Sequence, residues 1–554
     1  MKSISTAGLI LAVLLAATGA RAQDARIMTV TDEGAPIAGA AILSDYYGPL
    51  PPTGTRGDIP QMPGFPVTMG ANANFAPQRG IVFADLDGDG DLELIRSSTN
   101  NRLYAWDYAG NPMPGFPLTT IGMGQYPPSV ADMDGDGDVE IVQCTRGQTS
   151  GGRLYVFDHL GVVLPGFPKN INNNNVEACP TLYDLDNDGV MEIIVGERAW
   201  PIGYLHVFEL DGSEWGGNWP VALDHVPTGT AAVADVDNDG AVEIFYMSYV
   251  SMYLLETDGT PLPGWPRGIT NARFSYQSAA LADLDADGDR EIVVGAHWDA
   301  AGCYVFRHDG TGYPGWPKLL GTWTYCPPTV TDLEGDGELE ILEGRAGVFG
   351  GYSNCFWAWT SSGALKPGFP YASDHGGGSD GPLTVADING DGLMEIFADH
   401  NVMETANQQG WLFGVDSAGN DLPGFPLRPQ GFTYMNGATI GDVDHDGDYE
   451  LAVVSYYEST ARVNLYDLPD LYAPTARDWK IYHGRSSRGG AYPAEQPGIP
   501  GDLDGDGDVD LSDLALLLAD YGCAGGGCAG DLDGDGDTDL ADLAILLAHY
   551  GAGT

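Results

Sequence analysis

Ala84-Asp85-Leu86-Asp87-Gly88-Asp89-Gly90-Asp91-Leu92-Glu93 places four aspartates at alternate positions and closes on a glutamate. The oxygens of such a run converge when the chain between them turns tightly, and Gly90, directly after Asp89, supplies the turn. Ile81-Val82-Phe83 runs in, and Leu92, Leu94 and Ile95 run out, so the local reading is strand, tight acidic loop, strand, with no helix. For one copy, a solvated acidic turn would stand as the alternative to a cation cage. The run recurs, however, at Asp132, Asp184, Asp235, Asp283, Asp332, Asp387 and Asp442, at steps of 47, 52, 51, 48, 49, 55 and 55 residues. A sustained period near 50 predicts a solenoid, a propeller or an array.

Each period carries more than the loop. Leu103-Tyr104-Ala105-Trp106-Asp107 matches Leu154-Tyr155-Val156-Phe157-Asp158, and a glycine turn follows each. Then comes Pro-Gly-aromatic-Pro, at Pro63–Pro66, Pro114–Pro117, Pro165–Pro168, Pro263–Pro266, Pro314–Pro317, Pro367–Pro370 and Pro423–Pro426, with Gly217-Asn218-Trp219-Pro220 as a degenerate copy. A strand holding two prolines cannot donate a full ladder, so it is expected at the outer edge, its aromatic ring under the next unit. Four antiparallel strands per period make a propeller blade. The last acidic unit lacks its Pro-Gly-aromatic-Pro copy and the surplus copy stands at the N-terminus, so the N-terminal strand is expected to complete the last of eight blades.

The repeat resembles the FG-GAP, or VCBS, family, which includes the calcium-bearing blades of integrin α-subunit propellers. The resemblance covers residues 61 to about 470. It implies an all-β, eight-bladed β-propeller with one Ca2+ in each hairpin between the first two strands. Positions 1, 3, 5 and 9 would donate side chains, and position 7 a carbonyl. The implied ligands are Asp85, Asp87, Asp89, Asp91 and Glu93 in the first hairpin, and Asp132, Asp134, Asp136, Asp138 and Glu140 in the second. Asp184, Asp186, Asp188, Val190 and Glu192 follow, then Asp235, Asp237, Asp239, Ala241 and Glu243, then Asp283, Asp285, Asp287, Asp289 and Glu291. The last three sets are Asp332, Glu334, Asp336, Glu338 and Glu340; Asp387, Asn389, Asp391, Leu393 and Glu395; and Asp442, Asp444, Asp446, Asp448 and Glu450. Glu334 and Asn389 depart from aspartate at position 3. Carboxylates so crowded repel one another unless a cation binds or protons are taken up.

A second acidic pattern ends the chain. Asp502, Asp504, Asp506, Asp508, Asp510 and Asp513 occupy positions 1, 3, 5, 7, 9 and 12 of a loop that runs into Leu514-Ala515-Leu516-Leu517-Leu518. Asp531, Asp533, Asp535, Asp537, Asp539 and Asp542 repeat it 29 residues later. These are EF-hand-type loops, each with a helix after it. The pair resembles a type I dockerin, which implies a small α-helical calcium module with two ions and a cohesin-like protein partner. Leu511-Ser512 and Leu540-Ala541 stand where cellulosomal dockerins carry a Ser/Thr pair, a departure at the contact positions. The other reading of this module is a cap on its own chain.

The remaining sequence sets the context. Lys2, the apolar Leu9–Ala17 and Ala20-Arg21-Ala22 read as a cleaved signal peptide over 1–22, so the expectation is an exported, extracellular protein of bacterial origin. Residues 23–60 form an N-terminal extension, 61–470 the propeller, 471–500 a tail and linker, and 501–551 the dockerin. A net charge of -54 makes nucleic acid and anionic membranes poor partners and divalent cations natural ones. Cys523 and Cys528 could close a small local disulfide, and no cysteine or histidine set has zinc spacing.

Two functions fit. One is a non-catalytic ligand-binding or adhesion platform, with glycan or protein on a propeller face. The other is a dockerin-bearing carbohydrate-active enzyme, a polysaccharide lyase or glycoside hydrolase, an analogy at fold level. No nucleophile elbow, phosphate loop or zinc-protease motif occurs. On the face opposite the acidic loops the expected contact residues are Arg146, Glu197-Arg198-Ala199-Trp200, His297-Trp298-Asp299, Arg345, His400 and Tyr456-Tyr457-Glu458.

Overall fold

The computed structural model describes residues 25–27, 59–73, 75–147, 151–171, 179–198, 202–346, 354–374, 376–404, 406–471, 478, 480–484, 486–492, 509, 511–523, 530, 532, 538 and 540–548. The signal-peptide reading therefore lies outside the described residues, as does all but a three-residue strand, Ala25–Ile27, of the 23–58 stretch.

Eight antiparallel sheets follow one another along the chain. The first joins Val82–Ala84, Glu93–Ser98, Arg102–Trp106 and Leu118–Thr119 in that order. The second repeats the plan with Ser129–Ala131, Glu140–Cys144, Arg153–Phe157 and Lys169–Asn170. In the eighth, Ala438–Gly441, Asp448–Tyr457 and Thr460–Leu471 are completed by Val67–Gly70, with Val67 opposite Val463. The first and last blades are thus joined by strand pairing 390 to 396 residues apart in sequence, Gly70 opposite Thr460 being the near end. This is the N-terminal closure that the phase of the repeat predicts, and the molecule is an eight-bladed β-propeller.

The strands form because alternate residues face the two neighbouring blades, and both faces are covered. Glu93–Ser98 and Glu291–Ala296 are buried at every position, as sheets stacked on both sides require. Between blades, hydroxyls repeat one bond. Ser129, Thr181, Thr329, Thr384 and Thr439 donate to the Pro180, Ala231, Leu383, Ala438 and Ile81 carbonyls at 2.6–2.9 Å, and the last of these closes the ring.

The Pro-Gly-aromatic-Pro copies differ from expectation. The prolines do not stand within the outer strand; the motif is a turn, cis at its second proline, that leads into it. Its glycine has φ near +90°, as at Gly166, and a Cβ there would run into the Asp211 carbonyl of the next blade. The aromatic does reach the next unit: Trp219, Trp265 and Trp316 donate Nε1–H to the Thr257, His308 and Ser361 carbonyls at 2.8, 2.6 and 2.9 Å.

The segment after the last blade lies on the ring's axis. The backbone N–H groups of Val130, Leu182, Val233, Leu281 and Ile440, on the inner strands of blades two, three, four, five and eight, donate to the Ser486, Ser487, Gly489, Gly490 and Lys480 carbonyls at 2.9–3.2 Å. Ala491–Tyr492 pairs in parallel with the inner strand Ala280–Ala282. A segment that meets so many inner strands can only run along the axis. It satisfies inner-edge donors that the blades leave open. Tyr482 and Arg488 are buried within it, and Arg488 donates to the Tyr482 and Pro128 carbonyls at 2.6 and 3.3 Å.

At the C-terminus, helices Leu511–Asp520 and Leu540–Ala548 pack together through Val509, Leu517 and Leu546. Cys523 is disulfide-bonded, and Cys144, Cys179, Cys303, Cys326 and Cys355 are free and buried. No helix among the described residues is long and apolar enough to cross a membrane.

Candidate metal centre

The eight acidic loops join the inner strand of each blade to the second, and they share one backbone. Position 6 is glycine in all eight, from Gly90 to Gly447, with φ between 82° and 98°. At Gly90, Gly137, Gly189, Gly240, Gly337, Gly392 and Gly447 an added Cβ would meet nothing, so left-handed backbone and not space demands glycine there. Position 4 is left-handed as well; it is glycine in four hairpins and Asn187, Asn238, Ala286 and His445 in the others.

This backbone folds the loop onto the first aspartate. Asp85 Oδ1 accepts the Gly88 N–H at 2.7 Å, and its Oδ2 accepts that of Gly90 at 3.0 Å. Asp132, Asp332 and Asp387 repeat the pair. Position 9 is uniform. Glu93, Glu140, Glu192, Glu243, Glu291, Glu340, Glu395 and Glu450 each accept, through Oε2, the backbone N–H of position 2 at 2.7–3.0 Å. None is more than 5% exposed, so all eight carboxyls are fixed inside the hairpin; in the seventh, Glu395 Oε1 also accepts the Asn389 Nδ2–H at 2.9 Å.

The oxygens gather. Those of Asp85, Asp87 and Glu93, of Asp184, Asp186 and Glu192, and of Asp283, Asp285 and Glu291 lie within 4.8 Å of one another; in the second and fourth hairpins Asp132, Asp134 and Asp136, and Asp235, Asp237 and Asp239, do so. Burial and the like charges of Asp87, Asp85 and Asp89 push Glu93 up to about 8. Burial likewise raises Glu140 and Glu291 to about 7, Glu192, Glu243 and Glu395 to about 8, and Glu450 to about 9. Asp237 Oδ1, Asp442 Oδ1 and Asp444 Oδ1 are buried with no hydrogen-bond partner, so their lone pairs are open to a cation or a proton. Val190, Ala241 and Leu393 at position 7 offer a carbonyl as any residue does. The residues fit a hard divalent cation.

The hairpins are also linked. The position-8 N–H groups of Leu92, Met191, Arg290 and Met394 donate to the position-2 carbonyls of the preceding hairpins, Val443, Met133, Val236 and Leu333, at 2.8–2.9 Å. The peptide groups flanking these four position-2 residues thus tie their own hairpin's glutamate to the neighbouring hairpin.

In the C-terminal module Asp513 and Asp542 are buried, and Asp542 Oδ1 accepts the Leu532 N–H at 2.7 Å, the same second-residue-to-last-acid bond. Asp502, Asp504, Asp506, Asp508, Asp510, Asp531, Asp533, Asp535, Asp537 and Asp539 lie outside the described residues.

On the opposite face the structure corrects the expected contact residues. Arg146, His297, Arg345, His400 and Tyr456 are buried: Arg146 lies over Phe75, His297 against Trp323 and Tyr325, Arg345 over Trp357 and His400 against Trp411 and Phe413. Trp298, Asp299 and Glu458 are exposed, and Ala199 and Trp200 lie outside the described residues. The sequence did not single out Lys366, whose ammonium lies in the sixth hairpin against Glu334 and Glu340; a lysine in place of the apolar or aromatic residue before Pro-Gly-aromatic-Pro was the available signal.

Residues 85–143 and 235–294 match the model of the FG-GAP-like repeat family. No curated protein matches the chain. Among solved structures, the V. cholerae biofilm matrix protein Bap1 is 12% identical over 75% of this chain and 91% of its own, with a TM-score of 0.48. The Dos1 propeller is 12% identical over 74% and 96%, at 0.38, and the quinohemoprotein alcohol dehydrogenase of Comamonas testosteroni is 12% identical over 74% and 78%, at 0.41. The chain carries FG-GAP-like repeats built into an eight-bladed β-propeller.

Proposed function

We propose that this chain is an exported, calcium-binding propeller that serves as a ligand-binding or adhesion platform, with a C-terminal dockerin that docks it to a cohesin-like partner. One observation carries the reading: a buried glutamate fixed in the mouth of every hairpin among aspartates, eight times over. Such a carboxyl is costly without a counter-charge, and five or more oxygen donors, one a carbonyl, suit Ca2+ better than the smaller, more strictly octahedral Mg2+. Positions 1, 3, 5 and 9 would hold the ion by carboxylates and position 7 by its carbonyl. The bound ion neutralises the hairpin and stiffens the rim. The twin loops ending on Asp513 and Asp542 would take two more ions and dock through their helices.

The axial segment leaves ligands the faces of the ring. On the face opposite the hairpins, Trp298 is 40% exposed at φ 81°, a conformation a bulky side chain adopts at a cost of about 1–3 kcal/mol. Its indole stacks on Trp323 with centroids 5.4 Å apart and planes at 23°. Arg273, which pairs through the backbone with His297, holds its guanidinium 5.7 Å over Tyr249 and meets no carboxylate among the described residues. An aromatic platform beside a cation suits a sugar ring bearing an acidic group. His297 itself, which an enzyme on this face would use, is fully buried and held neutral, its pKa lowered to about 3 by burial. The full chain, probed on glycan and protein arrays in calcium and in chelator, is expected to bind in calcium alone. Binding indifferent to chelation, or no ligand at all, overturns the reading.

A further inference from the structure

Seven hairpins and the sixth are not alike. The residue two before the motif glycine is held the same way in every blade: the N–H groups of Met62, Met113, Leu164, Trp215, Leu262, Tyr313, Lys366 and Leu422 each donate to a carbonyl of the third strand at 2.9–3.0 Å. That shared bond puts their side chains at equivalent places, beneath the hairpin of their own blade. Seven are apolar or aromatic, and the eighth is lysine. The sixth hairpin is also the one whose position 3 is glutamate.

The two departures meet. Lys366 Nζ lies 2.7 Å from Glu340 Oε1, the oxygen that faces the hairpin mouth, and bonds Glu334 Oε2 as well. Glu340 is 1% exposed and Lys366 only 12%. The longer side chain at position 3 reaches the ammonium, where aspartate is one methylene shorter. Asp332 keeps its bonds to Gly335, Asp336 and Gly337, so the loop holds the shape of the others with the lysine in place.

We propose that Lys366 is the resident cation of the sixth hairpin, which therefore folds without calcium. An ammonium on Glu340 Oε1 occupies the coordination that a metal would need, and a divalent ion beside it would be repelled at contact distance. The sixth blade then holds its hairpin closed at any calcium concentration, while its neighbours respond to the ion.

This rests on the calcium reading of the other hairpins, and the test separates the two. The full chain and Lys366→Met are dialysed against calcium and their bound metal is counted. Lys366→Met is expected to carry one more ion per chain; an equal count overturns the proposal. In excess chelator Lys366→Met is expected to melt below the parent whether or not other hairpins bind calcium, because the carboxylates of the sixth hairpin lose their counter-charge; equal melting overturns it. Met113→Lys, which transplants the ammonium beneath the first hairpin with its clustered Asp85, Asp87 and Glu93, is expected to carry one ion fewer, and an unchanged count overturns it too. If neither chain holds calcium the calcium reading fails, and the melting difference still decides the role of Lys366.

Discussion

Glu93→Gln tests the cage directly, because calcium should cancel the gain that the substitution brings in chelator. Glu93 is 2% exposed, and its Oε2 accepts the Leu86 N–H at 2.7 Å. Glutamine keeps that acceptor and turns its amide nitrogen into the mouth, where a cation would be. Without metal, the folded carboxyl titrates at about 8 against 4.5 when exposed. At pH 7 the folded chain then holds a proton the unfolded chain has released, at a cost of about 3 kcal/mol that glutamine removes. With calcium at ~100 times its Kd, losing one site forfeits about 2.7 kcal/mol. For a ring of roughly 400 residues at about 2.1 cal/mol/K each, 1 kcal/mol moves Tm by about 1 °C. Scanning calorimetry should therefore show Glu93→Gln melting about 3 °C higher than the parent in chelator and about level with it in calcium, where the parent's bound ion offsets the gain. A gain of the same size in both buffers refutes the cage.

Other outcomes follow from the same geometry. A raised folded pKa gives stability that is full below the unfolded value and lost as pH rises through the folded one. Chelated protein should thus gain from its position-9 glutamates as pH falls from about 8 toward 4.5, and the calcium-dependent difference in Tm should shrink over that window. His297 and His483 are lowered, to about 3 and about 4, so the stability they give is present above 6.5 and lost on further acidification; melting temperature against pH in calcium should fall below that value. Arg488→Met removes two buried charged hydrogen bonds from the axial segment and should cost about 3 kcal/mol in denaturant unfolding. Trp298→Gly should relieve backbone strain, leaving Tm equal or higher, while array binding falls; retained binding excludes the indole as a contact.

Much of the architecture was written in short-range chemistry. Alternating aspartates with glycine at position 6 demand one tight loop whatever surrounds them, and eight copies at a common period demand eight equivalent sheets. The displaced Pro-Gly-aromatic-Pro copy foretold the closing strand because the eighth blade lacked its own. The same motif was misplaced within the strand: its prolines were weighed as lost donors, when the glycine's close approach to the next blade's carbonyl is what makes it a turn.

What could not be read in one dimension came from contacts distant in the chain. Lys366 and Glu340 stand 26 residues apart and meet only because a blade folds its third strand against its second. The axial segment finds its place only once eight inner strands present their open edges around it. His297 is buried against Trp323 and Tyr325 and His400 against Trp411 and Phe413, so residues that look exposed in sequence are not. Turn and strand propensities act over a few neighbouring residues, whereas burial and ion pairing depend on which parts of a closed ring come to lie side by side.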